Sequence, residues 1–449
     1  MNPGRAQLRA TASGILSAAL QAAAPGPLVR KNLKRRGAAL EAGGVRFALG
    51  RGRIVLVAVG KAALEMAREA EARLGDRLTE GLAVSTTAPV PPLARVRALV
   101  SGHPIPDARG IAAAQEVEAL ARGLGRDDLL LVLLSGGASA LLPAPADGVT
   151  LEQKARTTAL LLRAGATIHE LNAVRKHLSR LKGGGLARAA APARVVALAL
   201  SDVVGDDLST IGSGPTVPDP TTFAQALGVL ERCSVLGDVD ASVRVRFEAG
   251  ARGELAETAK PGEPLFRRVV TRIIGSGRLS VLAAASEARR RGLRPEVLTT
   301  RLEGEAREAA RVLVAILRER VDRAALGSRA VCLLAGGETT VTVRGSGQGG
   351  RNQELAVAAA QALDGFPGTA VVASLATDGI DGASDGAGGI VDDTTLARGR
   401  ELGLAPPAVF LAENDTRNYL GPLGDLILTG PTGTNVADVV ALLANPRRA

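Results

Sequence analysis

The chain has 449 residues, of which 46% are apolar and 22% are charged, the composition of a globular protein with roughly two or three domains. It has no run of about 18 apolar residues, and residues 1–25 lack the apolar core of a signal peptide, so we expect a cytoplasmic protein without a membrane span. The two cysteines, Cys233 and Cys332, make no metal-binding spacing and predict buried, reduced thiols.

The formal net charge of +10 comes mainly from arginine, since only seven of the 55 basic residues are lysines. These arginines are interspersed with acids along predicted helices, as in residues 303–323, a pattern typical of solvated helix faces. With no Trp, one Tyr and six Phe, the chain offers few aromatic platforms for stacking bases. We therefore expect no nucleic-acid partner and interpret the basic run at 30–36 as a solvated surface segment.

Short apolar runs alternate with helical patterns, which predicts βα units around a parallel sheet. After a helix at 6–23, which could pack on either domain, we predict strands at 54–59, 128–134 and 195–200 and a helix at 62–74. Ligands of open parallel sheets bind at the carboxyl ends of the strands. The polar and glycine-rich residues that follow these three strands are therefore candidate site residues.

A charged, Pro- and Gly-rich segment at 250–264 predicts the domain boundary, giving domains 1–250 and 265–449. A second α/β section follows it. Its predicted strands lie near 272–274, 330–334, 339–343, 371–375 and 426–428, and its predicted helices lie at 279–291, at 305–325 and from Val436 onwards.

Two strand ends carry glycine loops that suit an anion. Gly60 and Lys61 follow the first strand, and the second strand is followed by Ser135, Gly136, Gly137, Ala138 and Ser139. Free N–H groups and the positive end of a following helix bind anions, and Lys61 adds a point charge, although its loop is not a Walker A motif. A surface lysine and close strand-to-helix packing are the alternatives at these two loops.

The third strand leads into a loop at 201–219 that holds four aspartates, of which Asp202 directly follows the strand. Carboxylates beside phosphate sites commonly hold Mg²⁺, together with the phosphates of the substrate. Asp and Ser also favour loops for purely local reasons.

The segment 344–354 contains the spacing G-x-G-x-x-G at Gly345, Gly347 and Gly350, so a dinucleotide fingerprint must be considered. The context argues against it, because residues 339–343 alternate Thr and Val and the following helix opens with polar residues. We interpret the segment as a flexible loop that delivers Arg351 to a phosphate, since arginine donates paired hydrogen bonds to phosphoryl oxygens.

Other polar segments complete the candidates. The loops 377–382 and 429–435 follow predicted strands and are either ligand loops or simple turns. His103 lies in the polar segment SGHPIPD. A second polar group is too dense for a core helix and predicts either an anion-binding or a solvated face: Asn172, Arg175, Lys176, His177 and Lys182.

Eight motifs, which occur in the family's order and span roughly Val57 to Asp438, resemble those of the glycerate 2-kinase family, whose C-terminal half is the MOFRL domain. They are VGKAALEMA, SGHPIPD, LLSGGASALLPAP, LNAVRKHLSRLKGG, LSDVVGDDLSTIGSGPTVPDPTTF, GGETTVTVRGSGQGGRNQELA, ATDGIDGASDGAGG and LTGPTGTNVAD. One departure is Ala138, where the family usually has a third glycine.

The resemblance implies a two-domain α/β enzyme. Its N-terminal domain would be a Rossmann-like parallel sheet with helices on both faces, and its C-terminal domain an α/β MOFRL domain, with the active site in the cleft between them. The enzyme would transfer phosphate from ATP to the 2-hydroxyl of D-glycerate with Mg²⁺ or another divalent cation. The implied partners are these small molecules, and assembly into a homo-oligomer is a further possibility.

Carried over residue by residue, the resemblance implies Lys61 and Arg351 as catalytic cations. Asp202 would bind the metal or accept the hydroxyl proton, and Asp378 would be a second metal or base candidate. Our own hypothesis places substrate or phosphate binding at Ser135, Gly136, Gly137, Ser139, Asn172, Arg175, Lys176, Ser213 and Gly214. It places nucleotide binding at Glu338, Gly347, Gly349, Gly350, Thr432 and Asn435.

Two other functions are weighed beside the kinase. An NAD(P)H-dependent hydroxypyruvate reductase would use the glycine spacing at Gly345, with Asp378 as a ribose acceptor. A non-enzymatic nucleotide or anion sensor would bind ligands without turnover. Consumption of ATP with D-glycerate, without oxidation of NADH by hydroxypyruvate, distinguishes the kinase from both.

Overall fold

The computed structural model of the chain describes residues 4–88, 90–324 and 330–445. The chain divides into two compact units. The first unit is Pro25–Ile274, and the second combines Met1–Ala24 with Gly275–Ala449. Each unit is built on its own six-stranded sheet.

The chain begins with helix α1 (Arg5–Ala22), which belongs to the second unit. The first unit has short 3-10 turns at Gly75–Arg77, Ile211–Ser213 and Pro264–Arg268. Its helices and strands are α2 (Pro25–Asn32), β1 (Leu33–Arg36), β2 (Ala39–Ala42), β3 (Val45–Ala48), β4 (Ile54–Val59), α3 (Ala63–Leu74), β5 (Leu78–Ser85), β6 (Val96–Val100), α4 (Ala108–Arg122), β7 (Leu129–Leu134), α5 (Ala138–Leu141), α6 (Leu151–Arg163), α7 (Ile168–His177), α8 (Gly185–Ala190), β8 (Arg194–Ser201), α9 (Phe223–Arg232), α10 (Ala241–Ala251) and β9 (Val269–Ser276).

The first sheet has the strand order β6-β5-β4-β7-β8-β9, and the strands from β6 to β8 are parallel. Counted along the chain from β4, this is the order 3-2-1-4-5-6 of the Rossmann fold. The strand order reverses between β4 and β7, the point where such sheets bind their ligands. Ile54–Val59 pairs in register with Leu129–Leu134, so the loops after these strands leave the sheet side by side.

Both faces of the first sheet are covered, which explains the continuous apolar runs of β4, β7 and β8. Val55 and Val57 pack with α4, α5 and α8 on one face. Leu56 and Ala58 pack on the other face with α3 and with the small antiparallel sheet β1-β2-β3. The basic run at 30–36, predicted as a surface segment, forms the end of α2 and the strand β1, where Leu33 is buried and the basic side chains are exposed or half-buried.

The second unit continues with α11 (Gly277–Arg290), β10 (Arg294–Leu302), α12 (Ala306–Asp322), β11 (Val331–Gly337), α13 (Arg351–Ala362), β12 (Thr369–Ala376), β13 (Gly388–Asp392), α14 (Thr395–Glu401), α15 (Pro407–Ala412), α16 (Thr416–Leu420), β14 (Leu426–Ile427) and β15 (Asp438–Asn445). Its sheet order is β10-β11-β15-β12-β13-β14. Only the pair β10 and β11 is parallel among the registered pairs of these strands. The predicted end of α12 at Ala325 lies outside the described residues.

Helix α1 packs on the second sheet, which settles the alternative left open for residues 6–23. Its buried Leu8 and Ile15 join α11 and one face of the sheet, while α12 and α13 cover the other face.

Among the described residues, no single helix is long and apolar enough to cross a membrane. One bent pair, α1 with α2, has a length and composition that would allow a span.

The division between the units lies beyond the predicted boundary at 250–264. The compact first unit ends at Ile274, because the predicted strand near 272–274 is part of β9, which joins the edge of the first sheet rather than opening the second. The Pro- and Gly-rich segment is therefore a connection within the first unit.

Two predictions in the second half are wrong. The expected helix after Val436 is the central strand β15, because an apolar run as short as 439–444 suits a buried strand as well as a helix. The expected strand at 339–343 is only a bridge between Thr340 and Glu305. The Glu305 carboxylate accepts hydrogen bonds from the Thr342 N–H and hydroxyl, which takes this segment away from a sheet ladder.

Candidate active site

The loops after β4 and β7 are locked together at the point where the strand order reverses. The Lys61 N–H donates to the Gly136 carbonyl at 2.9 Å, and the Ala62 N–H donates to the buried Ser135 hydroxyl at 3.0 Å. Gly60 has a φ of +129°, and a side chain there would overlap Ser135. The sequence therefore needs glycine at this contact, and Ser135 serves to join the two loops.

Lys61 and His103 both lie close to Gly137 in the second loop. A Cβ atom at Gly137, whose φ is +86°, would lie 3.0 Å from the His103 ring and 3.5 Å from Lys61 Cγ. Burial lowers the pKa of His103, and the nearby Lys61 charge lowers it further. A neutral imidazole therefore stands beside an exposed lysine, where it can accept or donate one hydrogen bond.

Ser139 on α5 is the centre of a polar cluster whose members are far apart in the sequence. Its hydroxyl accepts hydrogen bonds from Arg175 Nη2 at 2.6 Å and from Lys182 Nζ at 2.8 Å, and it lies 3.0 Å from the Ser213 hydroxyl. Ser213 in turn donates to Asn172 Oδ1 at 3.0 Å. Four predicted substrate positions are thus brought together, with Lys182 as a further member.

Three cations in this region have only neutral partners. Lys154 and Lys182 are buried, Arg175 is half-buried, and Lys154 Nζ donates to the Pro143 carbonyl at 2.6 Å. None of them pairs with a carboxylate in the part of the chain that the structure describes. Burial lowers the pKa of all three, and their mutual repulsion lowers the pKa of both lysines further. Uncompensated buried cations are costly, so this arrangement is typical of an anion site.

Lys176 and Gly214, also predicted to bind substrate, have partners within the fold. Lys176 Nζ lies 3.2 Å from Asp219 Oδ1 in a pair whose side chains are 3% and 0% exposed. Asp219 accepts further hydrogen bonds from Thr221 and Thr258, so this charge is neutralised within the fold. Gly214 has a φ of +62° and closes a turn with its N–H bonded to the Ile211 carbonyl.

The aspartates after β8 differ in the hydrogen-bond and ion-pair partners of their carboxylates. Asp207 accepts hydrogen bonds from Ser209 and Thr210; burial opposes ionisation, but these bonds keep its pKa below the usual range. Asp219 is held by Lys176. Asp202 is half-buried directly after Ser201, at the carboxyl edge of the sheet, as the sequence predicted.

In the second unit, Arg351 is held by two carboxylates. Its Nε and Nη2 donate to Asp438 at 2.6 and 3.0 Å, and its Nη1 lies 3.0 Å from Glu338 Oε1. Asp438 pairs with Gly337 of β11 and Ala376 of β12, so it lies at the carboxyl ends of these strands. Burial raises the pKa of Asp438 to about 6 although Arg351 opposes the shift, and Asp438 raises the pKa of Arg351 against the effect of burial.

The glycine loop before Arg351 is closely packed, which corrects the prediction of a flexible loop. Side chains at Gly347, Gly349 or Gly350 would overlap residues 413–416 or Asp381. The Gly347 N–H donates to the Glu413 carbonyl, and Asp381 accepts from the first N–H groups of α13, those of residues 352 and 353, at 3.0 and 2.8 Å. The N-terminus of α13 is therefore capped by a protein carboxylate.

The remaining predicted positions meet at the same edge of the second sheet. The Thr432 hydroxyl donates to the Thr377 carbonyl at 2.6 Å, and its N–H donates to the Asp378 carbonyl at 3.2 Å. Asn435 Oδ1 accepts from the N–H of Ala437, which has a φ of +66° immediately before Asp438. A non-glycine residue in this conformation stores strain, a feature that concentrates at functional sites.

Several members of these clusters were not assigned a role from sequence. Asp438 and Asp381 were missed because their importance comes from pairing with α13, although Asp438 is the only acid in TNVADVVALLA. Lys154 lies in an amphipathic helix, and nothing in its local sequence indicated that it is buried beside the site. His103 and Lys182 were noted from sequence only for their polar surroundings.

Among residues 4–88, 90–324 and 330–445, no three or more His, Cys, Asp or Glu side chains are grouped to hold a metal ion. A cation that relied on protein ligands alone would need such a group. Mg²⁺ in phosphate-transfer sites uses one or two carboxylates plus the phosphates, so single aspartates at strand ends are sufficient protein ligands for it.

Comparison with known protein families gives the class of the chain. Residues 11–248 match the family described as "Domain of unknown function (DUF4147)", and residues 331–438 match the MOFRL family. With the Rossmann strand order of the first unit, these matches define a two-unit α/β protein of the DUF4147 and MOFRL type.

The particular family follows from full-length relatives. The chain is 42% identical to a glycerate 2-kinase of Pyrococcus horikoshii over 89% of each chain. It is also 42% identical to a putative hydroxypyruvate reductase of Agrobacterium vitis over 88% of this chain and 87% of that one. The crystal structure of a glycerate kinase from Thermotoga maritima matches with a TM-score of 0.85 at 39% identity, covering 98% of this chain and 100% of that chain. The chain belongs to the glycerate kinase family, which confirms the resemblance of its motifs.

Proposed function

We propose that the protein is an ATP-dependent kinase that phosphorylates the 2-hydroxyl of D-glycerate, giving 2-phospho-D-glycerate and ADP. The observation that carries this proposal is the cation cluster around Ser139, which has no carboxylate partner among the described residues and lies beside the point where the first sheet reverses its strand order. Relatives of similar length that are named glycerate 2-kinases support the same assignment.

The cluster suits the carboxylate of glycerate or a transferred phosphate. Arg175 and Lys182 can exchange their bonds to Ser139 for bonds to an anion, while Ser213 and Asn172 offer neutral hydrogen bonds beside them. Phosphoryl transfer requires mainly positioning and neutralisation of the γ-phosphate charge. Lys61, in the turn before α3, supplies a positive charge for that purpose.

The transfer step needs a group that removes the hydroxyl proton. The substrate 2-oxygen forms a bond to the γ-phosphorus as the bond to the ADP oxygen breaks, and the proton passes to a base. Asp202 at the end of β8 and the neutral imidazole of His103 are the two candidates.

We propose ATP as the phosphate donor and Mg²⁺ as its counterion. Asp202, directly after β8, and Asp378, in the loop after β12, are each a proposed carboxylate ligand. The cation would neutralise charge on the phosphates, and Glu338, Thr432 and Asn435 stay proposed nucleotide contacts. Lys176, Gly214 and the glycines before Arg351 would act by supporting the site.

The reductase alternative is disfavoured by geometry. The first turn of the Rossmann sheet, Gly60 to Ala63, lacks the glycine triplet that admits a dinucleotide pyrophosphate. Strand β5 ends at Ser85 and is followed by two threonines, where an acid would bind the ribose. The G-x-G-x-x-G segment before α13 has its helix N-terminus capped by Asp381.

A coupled assay tests the proposal. The purified chain is incubated with ATP, MgCl₂ and D-glycerate, ADP release is followed, and enolase is added to detect 2-phosphoglycerate. We expect ADP formation and an enolase-competent product, with no NADH oxidation on hydroxypyruvate. A product that enolase rejects would indicate the 3-position, and NADH oxidation without ATP consumption would overturn the kinase.

Variants at Lys61 distinguish an enzyme from a binding protein. We expect Lys61→Ala to reduce kcat by about a hundredfold or more, the scale for removing one transition-state donor. Lys61→Arg keeps the charge but replaces a compact, flexible ammonium with a planar group, so we expect partial activity. Full activity of Lys61→Ala would remove Lys61 from the catalytic machinery.

A further inference from the structure

A basic cavity lies at the opposite edge of the first sheet from the candidate active site. It has a volume of about 300 Å³ and is lined where β4, β7 and β8 begin, at the paired residues Ile54, Leu129 and Arg194. Six strand residues at about 3.3 Å each separate the two edges by roughly 20 Å. A ligand here is therefore remote from Lys61 and Ser139.

The wall of this cavity carries an excess of positive charge. Six arginines line it against two aspartates, Asp127 and Asp128: Arg51, Arg53, Arg77, Arg126, Arg194 and Arg268. Arg53 pairs with Asp128 at 2.9 Å, so one of the two acids is already neutralised.

Three of the other arginines, Arg77, Arg194 and Arg268, are held by neutral groups. Arg77 donates to backbone carbonyls of the rim, and Arg194 lies over the Phe47 ring at 5.1 Å. Arg268 donates through Nη2 to the Arg126 carbonyl, while its buried Nε has no hydrogen-bond partner among the described residues. Arg51 and Arg126 are exposed, and neither forms an ion pair in the part of the chain that the structure describes. Fixed guanidinium groups without carboxylates are suited to phosphate oxygens.

We propose that this cavity binds a small molecule that carries two or more phosphate groups, separately from the catalytic site. The size of the cavity is at the lower end of the range for small-molecule sites. The excess of arginine over carboxylate favours a ligand with more than one negative charge, and Arg268 Nε, which has no hydrogen-bond partner among the described residues, supplies a buried donor. The inference does not depend on the proposed kinase activity.

The absence of tryptophan from the chain provides a site-specific probe. Ala48 is exposed at the end of β3 and lines the cavity, so Ala48→Trp places the only tryptophan there. Inorganic pyrophosphate is titrated into this full-length variant and tryptophan fluorescence is recorded, with NaCl at equal ionic strength as the reference. We expect a saturable change with pyrophosphate and none with NaCl, and the absence of a saturable change at millimolar pyrophosphate would overturn the proposal.

A charge-matched pair of double variants tests the arginines, each made in the Ala48→Trp background. Arg51→Gln with Arg126→Gln removes two exposed cavity charges, and we expect the Kd for pyrophosphate to rise about tenfold or more. Arg163→Gln with Arg244→Gln removes two exposed charges outside the cavity and should leave the Kd unchanged. Equal weakening in both double variants would show non-specific attraction and refute the site.

Binding at the catalytic site is separated by a third variant. Lys61→Ala in the Ala48→Trp background should retain the fluorescence titration whatever its effect on glycerate phosphorylation. If the titration is lost with Lys61→Ala, the fluorescence reports the catalytic site, and the basic cavity is not a phosphate site. Failure of the kinase assay alone would leave the fluorescence result standing.

Discussion

The principal cations of the two units differ in whether they have carboxylate partners. In the first unit, Arg175 and Lys182 donate to the hydroxyl of Ser139 and meet no carboxylate in the described chain. In the second unit, Arg351 donates two hydrogen bonds to Asp438 and pairs with Glu338. Both clusters lie at the carboxyl ends of strands, so position in the sheet alone does not decide the electrostatics.

The difference separates a site prepared for an anion from a cation that is already neutralised. Cations that lack a carboxylate gain a strong partner when an anionic ligand arrives. Arg351 must exchange a carboxylate for a phosphate, or act by positioning its neighbours. Stability and activity should therefore respond differently to removal of charge in the two units.

Removing the Arg351 charge should give the largest combined effect on stability and turnover. We expect Arg351→Met to lower the free energy of unfolding by about 2–4 kcal/mol, because Asp438 loses its buried partner. The value lies below that of a fully buried pair since Arg351 is 28% exposed. Chemical denaturation measures it, and kcat is measured in parallel.

A double variant identifies the cause. Adding Asp438→Asn to Arg351→Met removes the stranded carboxyl charge, so most of the lost stability should return while turnover stays low. If the double variant is no more stable than Arg351→Met, loss of side-chain packing, rather than an unpaired charge, explains the effect.

The matched change in the first unit is Lys182→Met, which keeps length and removes the charge. We expect kcat/KM for D-glycerate to fall about a hundredfold to a thousandfold, the scale for a lost transition-state donor. Stability should be unchanged or higher, because an unpaired buried cation is replaced by an apolar side chain. A clear loss of stability in thermal unfolding would contradict the view that this charge is kept for function.

The close packing before Arg351 should give a smaller effect. A Cβ atom at Gly350 overlaps the backbone of Asp381, so we expect Gly350→Ala to cost about 1–3 kcal/mol of stability. Gly228 in α9 has nothing within 4 Å, and Gly228→Ala should be neutral or stabilising by up to about 1 kcal/mol. Equal melting temperatures for the two variants would indicate a mobile loop before α13.

The sequence predicted the first unit well because its strands are long apolar runs that end in glycine loops. Ile54–Val59 was predicted without error, and Lys61, Ser135 and Asp202 all lie at the expected edge. The second unit was harder, since β15 is a late segment inserted between β11 and β12, and nothing local distinguishes such a run from a buried helix. Asp438 could not be found without that topology, nor could the burial of Lys154, which depends on packing between distant segments.

The smallest predicted effect concerns protons. Burial, together with the charges of Lys154 and Arg175, lowers the pKa of Lys182 in the free protein, and an anion beside Ser139 would favour its charged form. Binding should therefore take up protons, and the affinity for D-glycerate should increase as pH falls towards the pKa of the free site. Calorimetric titrations in two buffers of different ionisation enthalpy measure the uptake directly. Binding heats that do not depend on the buffer would show that Lys182 is already charged in the free protein. Its charge would then persist beside Lys154 and Arg175 without a carboxylate partner in the described chain, whereas the charge of Arg351 is balanced by Asp438 and Glu338.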